Sequence, residues 1–249
     1  MRRIRILVAY DGTEFHGWQV QPNVPTIQGW LEKVVSEIEG TPVKVHGSGR
    51  TDAGVHALGQ VAAFSLNNRI PCANLRRAMN RLLPPAIRVL DAAEAPPDFH
   101  PRYHARSKTY EYRIWRGEVC PPMRRLYLCH FPYPLDEERM IALAPLFEGE
   151  HDFSAFAAAD ERDALGGSKV RTIFESRLWR EGEELVYRVR GSGFLKHMVR
   201  MMVGTLVEAG KGNLERKDLE ARLAPGFAGK AGPAMPAGGL CLMSVEYES

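Results

Sequence analysis

The chain has 249 residues, 45% hydrophobic and 25% charged, which suffices for one large domain or two of roughly 100 to 150 residues and excludes a disordered or fibrous protein. A formal charge of +3 permits nucleic-acid binding without requiring it. Four scattered cysteines, Cys72, Cys120, Cys129 and Cys241, contain no Cys-x-x-Cys pair, which argues against a zinc ribbon or a disulfide framework.

The basic start Met1 to Leu7 leads into an apolar run broken by Asp11, Glu14 and His16, unlike a signal peptide. No stretch approaches the ~20 apolar residues of a membrane span, and a cytoplasmic protein is expected. Ile4, Ile6, Val8 and Tyr10 alternate with Arg3, Arg5, Leu7 and Ala9 and predict a strand ended by Asp11-Gly12. From the N-cap Thr26, apolar residues at Ile27, Trp30, Leu31, Val34, Val35 and Ile38 mark one helical face, closed by Gly40. Val43 to His46 and Val61 to Ser65 read as strands flanking a glycine-rich loop. Cys72 to Leu83 reads as a helix stopped by Pro84-Pro85, and Ile87, Val89 and Leu90 as a further strand.

The second half repeats this β-α-β-β-α-β order: strand Thr109 to Trp115, helix Asp136 to Phe147, strands Arg171 to Trp179 and Leu185 to Arg190, helix Phe194 to Ala209, strand Leu242 to Tyr247. An extra helix, Leu214 to Leu223, precedes the last strand, and Ala157 to Lys169 and Ala224 to Gly239 read as mobile surface loops. The expected fold is therefore α+β. It has two RRM-like, ferredoxin-like halves, residues 1–105 and 106–249, with mostly antiparallel sheets flanked by helices and an active-site cleft between them. Such an architecture fixes no function by itself.

The loop Gly47-Ser48-Gly49-Arg50-Thr51-Asp52-Ala53-Gly54 lacks the Gly-Lys-Ser/Thr of a P-loop and the Gly-x-Gly-x-x-Gly of a dinucleotide site. What it does contain is a carboxylate next to a cation on an open backbone. Two readings follow from these residues alone: a carboxylate nucleophile, or a turn aspartate paired with Arg50.

Eight ordered stretches narrow the choice. They are Tyr10-Asp11-Gly12-Thr13 with Phe15-His16-Gly17-Trp18-Gln19, Thr26-Ile27-Gln28, Gly49 to His56, Asn80-Arg81-Leu82-Leu83-Pro84, Asp98-Phe99-His100, Lys108-Thr109-Tyr110-Glu111-Tyr112, Phe194 to Arg200, and Gly239-Leu240. Together they resemble the TruA family of tRNA pseudouridine synthases along nearly the whole chain.

The resemblance implies that Asp52 is the nucleophile, attacking either the uracil ring or the ribose anomeric carbon. It gives Tyr110 the role of a ring that stacks on the uracil and Arg200 that of the cation that pairs with the aspartate. Arg50 becomes a wedge filling the place of the flipped base, and Leu240 a wall of the pocket. It also implies a tRNA substrate modified at uridines 38–40 of the anticodon arm, a homodimer, and neither a metal nor an organic cofactor. Arg106 and Lys108, with Arg76, Arg77, Arg81, Arg102, Lys169 and Arg171, are candidate phosphate contacts.

His104 departs from the smaller or acidic residue expected at that position of the family. His100 and His104 stand four apart, but Pro101 and the lack of a third ligand argue against a metal pair. Two alternatives remain: a non-catalytic RNA-binding protein with two RRM-like units, which should show an RNP-type aromatic pattern that the chain lacks, and a pseudouridine synthase acting on another RNA.

Overall fold

The computed structural model describes residues 1–159 and 167–248. In chain order the first elements are β1 (Arg2–Tyr10), α1 (Ile27–Glu39), β2 (His46–Gly47), β3 (His56–Leu66), α2 (Cys72–Leu82) and β4 (Ile87–Ala95). Then come β5 (Ala105–Trp115), β6 (Cys129–His130), α3 (Glu137–Leu143), β7 (Gly149–Asp152), β8 (Val170–Glu181) and β9 (Glu184–Gly191). The last are α4 (Met198–Gly210), α5 (Arg216–Leu223) and β10 (Leu240–Tyr247). The class is α+β, with mostly antiparallel pairing. No helix among the described residues is long and apolar enough to cross a membrane.

Two compact units result, Met1–Arg106 with Cys241–Ser249, and Ser107–Leu240. The sequence reading counted the last strand with the second half; residues 241–249 group with the first. Cys241 and Leu242 pair in parallel with His56 and Ala57 of β3, and the Met243 carbonyl lies where a Cβ on Gly59 would sit, at 2.2 Å. Only a glycine lets the two backbones approach this closely.

In the first unit the strand order is β4-β1-β3-β10, with β2 on β3. β1 is antiparallel to both β3 and β4. Its Ile4, Ile6 and Val8 are fully buried, as are Ile27, Leu31 and Val35 of α1 and Leu75 and Met79 of α2, each burial contributing about 1.5–3 kcal/mol. Thr26 accepts a hydrogen bond from the Gly29 amide and Gly40, at φ 81°, donates to Ser36, so α1 starts and stops where its sequence predicts. The opposite face carries a smaller cluster of Val61, Ala63 and Phe99 with Leu7, Ala95, Val245 and Tyr247.

In the second unit β5, β9, β8 and β7 follow one another antiparallel, and β6 adds to β5 in parallel. Tyr112, Tyr187, Phe147, Phe153 and Phe156 fill its core. The Tyr187 hydroxyl is satisfied by Ser176 Oγ at 2.7 Å, as a buried hydroxyl must be.

Four elements differ from the sequence reading. The strand expected over Val43 to His46 starts only at His46, because the backbone of Val43 to Val45 is spent on α1: Val43 N–H donates to Ser36 Oγ, Val45 N–H to Glu32, and Val45 C=O accepts from Gln28. The helix expected over Asp136 to Phe147 tightens at Ala144 into a 3-10 turn, since Pro145 has no N–H to continue it. The helix expected from Phe194 begins only at Met198, because His197 adopts a left-handed φ of 63°. Ala224 to Gly239, expected as a mobile surface loop, is fastened to α4: Gly232 N–H donates to Thr205 Oγ1, Met235 N–H to the Arg200 carbonyl, and Pro233 lies against Gly204. Of the other expected loop, Ala157 to Lys169, residues 160–166 lie outside the described residues.

Candidate active site

The loop between β2 and β3 carries Asp52, half-buried, and Arg50, exposed. A buried polar network holds the loop from beneath. Gln60 of β3, with no exposed surface, accepts from Ser48 Oγ at 2.6 Å and donates to the Gly49 carbonyl at 3.1 Å and the Tyr10 hydroxyl at 3.4 Å. Tyr10 OH and Thr51 Oγ1 are 2.8 Å apart. Burial pushes the Tyr10 hydroxyl far above its ordinary value, although its bonds to Thr51 and Gln60 oppose this, so it stays protonated.

A second brace comes from the segment joining β1 to α1. Trp18 N–H donates to the Thr51 carbonyl at 3.0 Å, Gly54 N–H to the Phe15 carbonyl at 3.3 Å, and Gly12 N–H to His56 Nδ1 at 3.1 Å. The Asp52 backbone carbonyl itself accepts from Val55 N–H at 3.1 Å, closing a turn from Asp52 to Val55. Contact is so close that a Cβ on Gly12 would meet the Val55 carbonyl at 2.0 Å, and one on Gly47 the Trp18 ring at 2.5 Å. The backbone on both sides of Asp52 is thereby fixed.

In the second unit Tyr110 lies on β5 opposite Val189, 7% exposed, its ring edge-on to Phe194 at 5.1 Å. Lys108, half-buried, precedes it on the same strand opposite Gly191. Arg200, in the first turn of α4, donates through Nε to the Met235 carbonyl at 2.6 Å. Tyr112 OH donates to the Pro236 carbonyl at 2.7 Å, and Gly239 packs on its ring. Leu240, 6% exposed, follows at once as the first residue of β10. In the first unit Arg106 is exposed and paired with Glu248.

Motif reading did not single out Tyr10, Thr51, Ser48 or Gln60 as a network, nor Phe194 as a partner of Tyr110. A glutamine inside an otherwise apolar strand, next to Gly59, was the available signal for the first of these. His100 Nδ1 accepts from the amides of Arg102 and Tyr103 at 3.2 and 3.4 Å, and His104 Nδ1 from that of His100 at 3.5 Å. These two rings thus serve the local backbone.

The family model described as tRNA pseudouridine synthase matches residues 6–104 and 143–248. The chain is 64% identical over 247 residues to tRNA pseudouridine synthase A of Solibacter usitatus, covering 99% of this chain and 100% of that one. It is 44% identical to the protein of the same name from Geotalea uraniireducens, over 99% and 100%, and 46% identical to that from Halalkalibacterium halodurans, over 96% and 90%. The chain belongs to the tRNA pseudouridine synthase family.

As a member of that family it is an isomerase that makes pseudouridine in tRNA. The family match includes Arg50, Asp52, Arg200 and Leu240, whereas Arg106, Lys108 and Tyr110 fall between its two matched segments. The two braces hold half-buried Asp52 on a loop whose backbone is fixed on both sides. Positioning is worth several kcal/mol only when the group cannot wander.

Proposed function

We propose that this protein isomerises uridine to pseudouridine in the anticodon stem-loop of tRNA, at uridines 38–40, with Asp52 as the nucleophile. The observation that carries the reading is the double brace around Asp52: the Gln60 network beneath Gly49 and Thr51, and the Gly12 to Trp18 segment against Thr51, Gly54 and Val55. It holds the backbone of the loop on both sides of Asp52, whose side chain remains half-buried.

The target base leaves the helical stack at a cost of a few kcal/mol, returned by stacking and hydrogen bonds in the site. The carboxylate attacks the uracil ring or the anomeric carbon and the N-glycosidic bond breaks. The base then turns over, C5 bonds to the ribose, the bond to Asp52 breaks and frees the carboxylate, and the C5 proton is lost. Atoms and electrons balance without an oxidant, so neither a metal nor an organic cofactor is required. Tyr110, Arg200, Arg50 and Leu240 keep the roles that the resemblance gives them, and Lys108 and Arg106 contact RNA phosphates. The protein works in the cytoplasm as a homodimer.

The test is tritium release from unmodified tRNA carrying 5-tritiated uridine, with wild type and Asp52→Asn compared. Release by the wild type alone is the expected result. No release from any mixed tRNA pool by folded wild type would overturn the reaction in favour of a non-catalytic RNA-binding protein. Equal release by both would move the nucleophile away from Asp52, and pseudouridine mapped outside the anticodon arm would overturn the position.

A further inference from the structure

The turn after β4 presents an aromatic side chain that no core contact explains. Tyr103 is 74% exposed, yet its ring lies 4.3 Å from that of His100 at an angle of 32°, and the Arg102 guanidinium sits 5.7 Å from its centre. The exposed His46 of β2 lies 5.4 Å from His100, tilted by 46°. His100 thus touches two rings, and Tyr103 keeps most of its surface open to solvent.

The turn is anchored. Phe99, buried, packs on Tyr247 at 5.2 Å and edge-on to His104 at 5.9 Å. Arg3 Nε donates to the Phe99 carbonyl at 3.0 Å, Tyr247 OH to the Pro101 carbonyl at 2.7 Å, and His104 N–H to the His100 carbonyl at 3.1 Å. The His100 imidazole ties down the amides of Arg102 and Tyr103. A ring held this way loses little freedom when something stacks on it.

Its electrostatics select the occupant. The permanently charged groups at this turn are Arg102, over the Tyr103 ring, and Arg3, bonded to the Phe99 carbonyl. An exposed aromatic ring beside arginines suits a nucleobase on the ring with a phosphate on Arg102. Such a base must lie outside a helical stack, because inside a helix its neighbours cover both faces.

We propose that Tyr103 is a stacking platform for an unpaired nucleotide of the RNA other than the one that reacts, with Arg102 holding an adjacent phosphate. The proposal rests on the reading of RNA as substrate and adds a second point of recognition to it. His104, where the resemblance implies a smaller or acidic residue, sets its ring edge-on to Phe99 at 5.9 Å.

The test measures direct binding of a fluorescent unmodified tRNA transcript by anisotropy, independently of catalysis. Tyr103→Ala should weaken binding by about 5- to 100-fold and Tyr103→Phe should restore it, since stacking needs the ring and not the hydroxyl. Arg102→Ala should lower the slope of log Kd against log salt by about one. At 74% exposure Tyr103→Ala should leave the melting temperature unchanged. Binding by Tyr103→Ala within about twofold of wild type, or a loss shared equally by Tyr103→Phe, would overturn the platform. Because the readout is affinity, absent tritium release with an intact Tyr103 effect would sink the isomerase reading alone, and the converse would sink only the platform.

Discussion

The side chain of Gln60 donates to the Gly49 carbonyl at 3.1 Å while accepting from Ser48 Oγ at 2.6 Å, so one buried amide grips two consecutive residues of the loop that carries Asp52. Gln60→Ala leaves both groups without that partner, at a cost of about 1–3 kcal/mol. Its effect on turnover should exceed that on binding: kcat falls by about tenfold or more with KM little changed. Single-turnover tritium release together with a denaturant titration separates the two. Lower stability with unchanged kcat would reduce the network to scaffolding.

Gly12 and Gly40 are glycines for opposite reasons. A Cβ on Gly12 would overlap the Val55 carbonyl at 2.0 Å, whereas Gly40 faces open space but has φ 81°. Gly12→Ala should therefore displace the loop, destabilise by about 1–3 kcal/mol and abolish activity, while Gly40→Ala costs about 1–2 kcal/mol of backbone strain and keeps the activity of the folded enzyme. Urea unfolding and tritium release on both variants check the contrast.

His100 is held below its ordinary value, first by desolvation and then by His46, Arg3, His104 and Arg102. The unfolded chain therefore takes up this proton first as pH falls. The contribution to stability is full above about pH 6.5 and is lost as pH drops through the folded-state value. Protonation also removes the acceptor for the Arg102 and Tyr103 amides. The melting temperature of wild type should fall more steeply on acidification than that of His100→Gln; parallel curves would contradict this.

Tyr112→Phe should remove the bond to the Pro236 carbonyl and the contact of the hydroxyl with the Cys129 thiol, costing about 1–2 kcal/mol. Burial drives the Tyr112 hydroxyl well above its ordinary value, so the wild type carries no charge there to lose. Faster amide exchange at Met235, next to Pro236, would report the loosened segment, and unchanged exchange would show that Arg200 and Thr205 suffice to hold it.

Periodicity alone located most helices and strands, because β1 and α1 bury one face and show the other to solvent. It failed where a backbone is satisfied by side chains, as at Val43 to Val45, or where one residue takes an unusual conformation, as at His197. The first strand of each unit also extends beyond its apolar core, to Arg2 and Ala105, since pairing continues where patterning stops. Asp52 was legible as an acid on a glycine loop, and its nucleophilic reading came from resemblance. The Gln60 network was not legible, because its members are 50 positions apart at the extremes and only the pairing of β1 with β3 brings them together.

The return of residues 241–249 to the first unit sets the order in which the molecule is completed during synthesis. β3, whose start supports the Asp52 loop, waits for its neighbour β10 until all of Ser107–Leu240 has left the ribosome. A nascent chain stalled anywhere before residue 241 therefore exposes an unpaired strand edge at the base of the loop that carries Asp52. Such an edge is a template for wrong pairing, and folding of this loop is tied to the end of translation rather than to its beginning.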